Sequence, residues 1–284
     1  MDVSAYIPVG ATGVILHIEN ISASKRDIGL RKKGSTDDRH DRMYNDSHLW
    51  AMAGIDENRI FQYYVEAYTD AKIWLVGYTA TGVVFLDNAV EKVPAAFNDW
   101  RDIDVSAECP GAIGVIVELL ETVGSGKEAA VRQNGSGDDW NNMSIQSHSW
   151  AITGCDGAQI FETLLKDAAA HLYVIGYVTQ GAVFLTNSVD FTPGIINTWT
   201  ETDVSGSAPS AVMLFFVAQM QAGNDYGARK HGAIEDIVWE ASNCRAEVFV
   251  ACDSGQKVDL YSEQLYAAAW YEIGLKGYAT WAGA

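Results

Sequence analysis

The stretch from Gly54 to Leu86, GIDENRIFQYYVEAYTDAKIWLVGYTATGVVFL, returns about 100 residues later, from Gly154 to Leu185, as GCDGAQIFETLLKDAAAHLYVIGYVTQGAVFL. A third, eroded copy reads ACDSGQKVDLYSEQLYAAAWYEIGLKGYAT. Landmarks keep their spacing: an Asp at Asp56, Asp156 and Asp253, and a Gly-Tyr pair at Gly77-Tyr78, Gly176-Tyr177 and Gly277-Tyr278. A period of this length is too long for a solenoid repeat and fits whole domains in tandem. The chain is therefore expected to be one module used three times, with units at 1–103, 104–202 and 203–284.

Each unit opens on Asp-Val-Ser (2–4, 104–106, 203–205) and continues into an apolar run: GVILHIEN, GVIVELLE or AVMLFFVAQ. Such runs, rich in Val, Ile, Leu and Phe and bounded by Gly or short polar residues, read as strands. The second run carries an Arg (Arg31, Arg132, Arg229) and, three residues later, a Gly (Gly34, Gly135, Gly232), then an acidic turn. Ser-His-x-Trp follows at 47–50 and 147–150, but Ser-Asn-Cys-Arg stands in the third unit. The recurrent Asp after it is read as a turn cap. The segments IFQYYVEAY, KIWLVGY and HLYVIGY are read as strands, as is FETLL. A short turn at 79–82 or 179–181 is expected to close a hairpin onto VVFL or AVFL. Seven or eight short strands per unit without a helix predict three tandem β-sandwiches, jelly-roll-like in preference to immunoglobulin-like.

The third unit looks incomplete. Trp100 and Trp199 close the first two repeats, whereas only ATWAGA follows Tyr278. An open sheet edge is expected there, and with it a place for a partner. Trp239, Trp270 and Trp281, private to that unit, are its candidate contacts.

A formal net charge of −18 disfavours binding to a phosphate backbone. No run of about 18 apolar residues marks a membrane span, and the N-terminus shows no secretory signal pattern. The four cysteines have no C-x-x-C spacing. Cys155 and Cys252 take the place of Ile55, as small buried residues would. Acidic turns at Asp37-Asp38 and Asp138-Asp139 are the calcium candidates, against the simpler reading of solvated loops. No nucleophile–base or paired-carboxylate pattern announces catalysis, and no cofactor is expected. His48 and His148, each ahead of a tryptophan, are read as packed residues. Trp50, Trp150, Trp100 and Trp199 keep register as core positions would, and Trp140 joins the private tryptophans as a possible exposed contact. Nine Trp and thirteen Tyr keep carbohydrate binding open.

Tandem sandwiches with these features resemble phage virion-surface proteins, meaning head decoration or fibre proteins. The stretches GATGVIL, GLRKKGSTDDR and WAMAGIDENRIF carry the likeness, which covers the first two repeats and less of the third. The resemblance implies a non-enzymatic structural protein of a phage particle, assembled in the host cytoplasm. It would bind a capsid or tail protein, as a homo-oligomer or in repeated copies. A lectin-like adhesion protein is the alternative.

Overall fold

A computed structural model describes residues 1–121, 128–140, 144–145, 148–220, 224–241, 244–263 and 272–280. Every regular element among them is a strand, β1 to β22. The first unit holds β1 (Gly13–Asn20), β2 (Arg26–Lys32), β3 (Asp41–Met43), β4 (Ser47–Gly54), β5 (Phe61–Val65) and β6 (Ala71–Thr79). These form two facing sheets, β4-β1-β6 and β3-β2-β5.

The chain then leaves for the next unit. β7 (Val83–Lys92) pairs not with β6 but with β14 (Ala170–Val178), and β8 (Arg101–Asp104) pairs with β13 (Ile160–Leu165). With β9 (Gly114–Glu121), β10 (Ala129–Gln133) and β12 (His148–Gly154) they complete the sheets β12-β9-β14-β7 and β10-β13-β8. The crossing recurs: β15 (Ala182–Asp190) and β16 (Thr200–Asp203) join the third unit. There the sheets are β20-β17-β22-β15, extended by the short β11 (Ser144–Ile145), and β16-β21-β18-β19. Their remaining members are β17 (Met213–Met220), β18 (Asn224–Lys230), β19 (Trp239–Ala241), β20 (Cys244–Ala251), β21 (Lys257–Ser262) and β22 (Glu272–Ala279). Eight consecutive strands split in this order between two antiparallel sheets have the connectivity of a jelly roll.

Two expectations change. The turns at 79–82 and 179–181 do not close hairpins; they carry the chain from one unit to the next. Gly82 and Gly181 take φ of 102° and 77° there, and each turn receives the next crossing: Thr179 N–H donates to Gly82 O (2.7 Å), Thr280 N–H to Gly181 O (2.8 Å). The sheets consequently divide about twenty residues before the repeat boundaries at 103 and 202. The third repeat is short in sequence, yet its sheets are not short of strands, because β15 and β16 supply them. Among the described residues, β6 and β5 of the first unit lack the neighbours that β7 and β8 give β14 and β13, and that β15 and β16 give β22 and β21; Met1 and Asp2 pair with Phe61 and Ile60 beside one end of β5.

The alternation within β1 explains how the units pack. Val14, Leu16 and Ile18 point into the unit's own core, as Val115, Val117 and Leu119 do from β9. The intervening Ile15, its counterpart Ile116 and Phe215 of β17 join one shared cluster with Met52, Ile152 and Phe249. With both faces buried, every residue of β1 and β9 is out of solvent. β4, β12 and β20, equivalent strands of the three units, also touch one another. The three units thus surround a common axis, a single-chain counterpart of a threefold oligomer.

Candidate functional site: the seams between units

The Ser-His-x-Trp strand builds the seams. Trp150 of the second unit is buried in the first unit's core, and Trp50 of the first is buried with the third unit's core residues. His148 bonds Ile28 O of the first unit through Nδ1 (2.8 Å) and Glu118 Oε1 through Nε2 (2.5 Å). Glu118 also accepts from Arg39 Nε of the first unit (2.6 Å). Strand pairing puts Arg245 of β20 in the histidine's place and Glu247 in the tryptophan's, two residues on from the register the sequence suggests. Arg245 reaches across to Ala129 O (3.5 Å) and Val131 O (3.3 Å) of the second unit. It also bonds Glu247, which accepts from buried Lys276 Nζ (2.9 Å). Burial lowers the Lys276 pKa against the pull of Glu247. The third contact closes the ring: His48 lies 4.7 Å from the Tyr226 ring of the third unit, between ring centroids. His48 Nδ1 is 2.6 Å from His17 Nε2, and His17 stacks on Trp50 at 4.4 Å. Burial pushes the His17 pKa down to about 4; burial, then the neighbouring His17, holds His48 well below the usual histidine range. His48 and His148 are packed, buried residues, as the sequence suggests.

Crossing strands fill two of the three seams. Phe85 of β7 lies over Gly13 and Gly54, where a built Cβ would come within 2.2 Å and 2.6 Å of it. Phe184 of β15 lies over Gly114 and Gly154 in the same way, at 2.3 Å and 2.6 Å. Only glycine leaves room for the phenyl ring. The acidic turns hold the same strands: Asp37 Oδ2 accepts from Ala89 N–H (2.9 Å), Asp138 Oδ2 from Ser188 N–H (2.8 Å). Asp139 accepts from Trp100 Nε1 (3.1 Å) and Asp236 from Trp199 Nε1 (2.7 Å), while each indole faces an arginine, Arg132 or Arg229, at 4.1 Å. Trp100 and Trp199 keep register because they cover these arginines while half exposed; they are not core residues. Asp38 is exposed. Three of the four calcium candidates therefore serve as hydrogen-bond acceptors, and no group of three His, Cys, Asp or Glu side chains among the described residues is placed to hold a metal.

The third seam, between the first and third units, holds no described strand. A cleft of about 540 Å³ takes its place. Leu75 and Val76 of β6, with Trp74, line one wall; Ala228 to Lys230, Glu235, Ile237 and Phe249 to Ala251 line the other; His17 and Trp50 close it at the axis. An apolar cleft with a few convergent polar groups is a binding-site candidate among the described residues.

Other sequence candidates fall elsewhere. Trp140 is buried, its Nε1 donating to Ser188 Oγ (3.2 Å), and so offers no exposed surface. The Trp239 backbone pairs with Tyr226 in the third unit's second sheet. Trp270 and Trp281 lie outside the described residues. Asp56, Asp156 and Asp253 cap their turns, each accepting two backbone N–H bonds, for example from Asn58 (3.0 Å) and Ile60 (2.8 Å). Cys109, Cys155 and Cys252 are free and buried, with burial pushing their thiols up to about 11, 12 and 11. These are inert packing residues, not thiolate nucleophiles. Comparison with protein-family models and with curated proteins finds no match to this chain.

Proposed function

We propose that this protein is a non-enzymatic structural component of a phage particle, decorating the capsid or forming part of a fibre, and that it works by binding a capsid or tail protein. The observation that supports this reading most directly is the ring of three units on one chain. Strands β7 and β15 cross two of its seams, and the axis is filled by Ile15, Ile116 and Phe215. Such a body is rigid and presents three similar faces, which suits a position of threefold symmetry on a shell or at a fibre. Its buried side chains go into packing: the histidines bond one another, a backbone carbonyl or a glutamate, and the thiols are sealed. The test is co-sedimentation of the purified protein with particles lacking it, with recovery in the particle fraction expected. A protein that stays in the supernatant under all assembly conditions refutes the proposal.

One observation favours carbohydrate binding as the second reading. Trp50, Trp74 and Trp199 all line the open cleft, beside Arg229 and Glu235, and such rings and charges suit sugar faces and hydroxyls. A glycan array probed with the wild type and with Trp74→Ala decides it: glycan signals lost in the variant support this reading, and an array without signal removes it.

A further inference from the structure

Equivalent strands meet the neighbouring unit at all three seams, with different chemistry each time. Strand register makes His48, His148 and Arg245 equivalent, and on the strand beside them His17, Glu118 and Val217. Between the first and second units a histidine meets a carboxylate: His148 Nε2 bonds Glu118 Oε1 (2.5 Å), and Asp41 of β3 also interacts electrostatically with His148. Between the second and third units Arg245 and Lys276 share the Glu247 carboxylate. Between the first and third units histidine meets histidine. His48 Nδ1 lies 2.6 Å from His17 Nε2, and both rings are buried.

A proton therefore has a different effect at each place. On His148 it turns the bond to Glu118 into a charge-assisted one, which is stronger. On His17 or His48 it creates a buried cation among uncharged rings, those of Trp50, Trp74 and Tyr226. The charged groups on the surrounding strands are turned to other partners. Glu19 of β1, opposite His48 in the register, meets Lys72 of β6 at 3.3 Å. Arg229 of β18 bonds Asp259 and faces Trp199, and Arg245 and Glu247 of β20 bond each other. Asp225 of β18, whose register partner is Glu240 of β19, alternates onto the sheet face away from Tyr226. Lys230 and Glu235 stand exposed on the far wall of the cleft that His17 lines. A buried charge without a paired counter-ion loses its hydration uncompensated. Stacking on Trp50 returns part of that loss, as a ring does for a cation, yet burial still holds the His17 pKa at about 4.

We infer that the contact between the first and third units is an acid-operated catch, which opens when His17 and His48 take up protons while the other two seams stay closed. The inference goes beyond the structural role proposed above and does not depend on it. Opening exposes Trp50 and Tyr226, both buried in the closed form. The equivalent Trp150, behind the His148–Glu118 bond, stays covered.

The test is hydroxyl-radical labelling of the full chain at pH 7.5 and 5.0, read by mass spectrometry as modification of Trp50 relative to Trp150. A group with a pKa of about 4 in the closed seam and the ordinary 6.5 in the open one shifts the equilibrium roughly thirtyfold toward opening at pH 5. The Trp50 to Trp150 ratio should rise accordingly, by up to about thirtyfold. His17→Glu supplies this seam with the carboxylate that Glu118 supplies to the other, and its ratio should stay flat across the two pH values. His17→Phe, which introduces no buried charge, keeps the test decisive if that variant does not fold; it should lose most of the rise. An unchanged ratio in the wild type overturns the inference, because the stacked rings then accommodate the charge. So does a parallel rise of Trp50 and Trp150, which is general acid unfolding, and so does a rise in His17→Phe equal to that of the wild type.

Discussion

Acid should weaken this protein in a window that the His17–His48 pair sets. His17 is enclosed by His48, Trp50 and Trp74, and its pKa falls from 6.5 to about 4 on folding through loss of hydration. The unfolded chain then binds more protons than the folded one between those values, so stability falls as pH falls across them. The contribution is fully present above pH 6.5 and lost as pH drops through about 4. A shift of about 2.5 units at about 1.4 kcal/mol each amounts to roughly 3 kcal/mol, of which about 2 kcal/mol is gone by pH 5. His48 shifts in the same direction and adds to the loss. The depressed aspartates, such as Asp56 and Asp156, act in the same sense but below their unfolded value of 3.8, outside this window.

The assay is urea denaturation at pH 7.5, 6.0, 5.0 and 4.5 for the wild type and for His17→Phe. The phenyl ring keeps the stack on Trp50 and cannot take up a proton. The wild type should lose stability steadily below pH 6.5, and the variant should lose markedly less. Identical slopes for the two proteins, with unchanged m-values, would refute the assignment of this acid sensitivity to His17.

Trp150→Ala, which empties a site in the first unit's core from the second unit's strand, should cost about 3–5 kcal/mol by chemical denaturation. Asp138→Ala removes the acceptor of Ser188 N–H and should cost about 1–3 kcal/mol, with faster amide exchange along β15. A chelator should leave the melting temperature unchanged, since Asp37 and Asp138 are engaged by backbone N–H groups; a drop of several degrees that calcium reverses would refute this. A fragment of residues 1–203 ends with β15 and β16 deprived of their sheets and should aggregate more than 1–180, compared by light scattering at equal concentration.

The strands and the Asp56-type caps were legible because their signals are local: alternation, β-branched residues, and a carboxylate two and four residues ahead of the N–H groups it binds. The partner of each strand was not. Residues 79–82 look like any short turn, and nothing in VVFL says whether it folds back on β6 or crosses to β14. A tandem repeat has no natural starting point, so boundaries drawn at Asp-Val-Ser matched the repeat without matching the sheets. One signal was available: Gly13 and Gly54, Gly114 and Gly154 recur as paired glycines at strand ends, where a crossing phenyl ring needs the space. Their replacement by Met213 and Ala251 marks the seam that has no crossing phenylalanine. Trp50 and Trp150 read as core residues and are buried, but in a neighbour's core, because His-x-Trp carries no label for which unit it enters.

The three seams of the ring differ. Two are crossed by the polypeptide, so β7 and β15 enter their sheets at the loop-closure cost of a three-residue turn. Among the described residues the third has no such link, and aromatic side chains gather there. Trp50, His48 and Tyr226 bury aromatic surface across it, and Met213 fills the volume a crossing phenyl would take. The same asymmetry places the buried Arg245, Glu247 and Lys276 on a seam that is crossed. An ionic group there has β15 packed over Lys276 and the backbone carbonyls of β10 to bond, so its desolvation is offset by fixed partners. At the uncrossed seam the equivalent positions are His48, Trp50 and Val76. Neutral rings and an aliphatic side chain suit a wall that must stay apolar whether the cleft is open or filled.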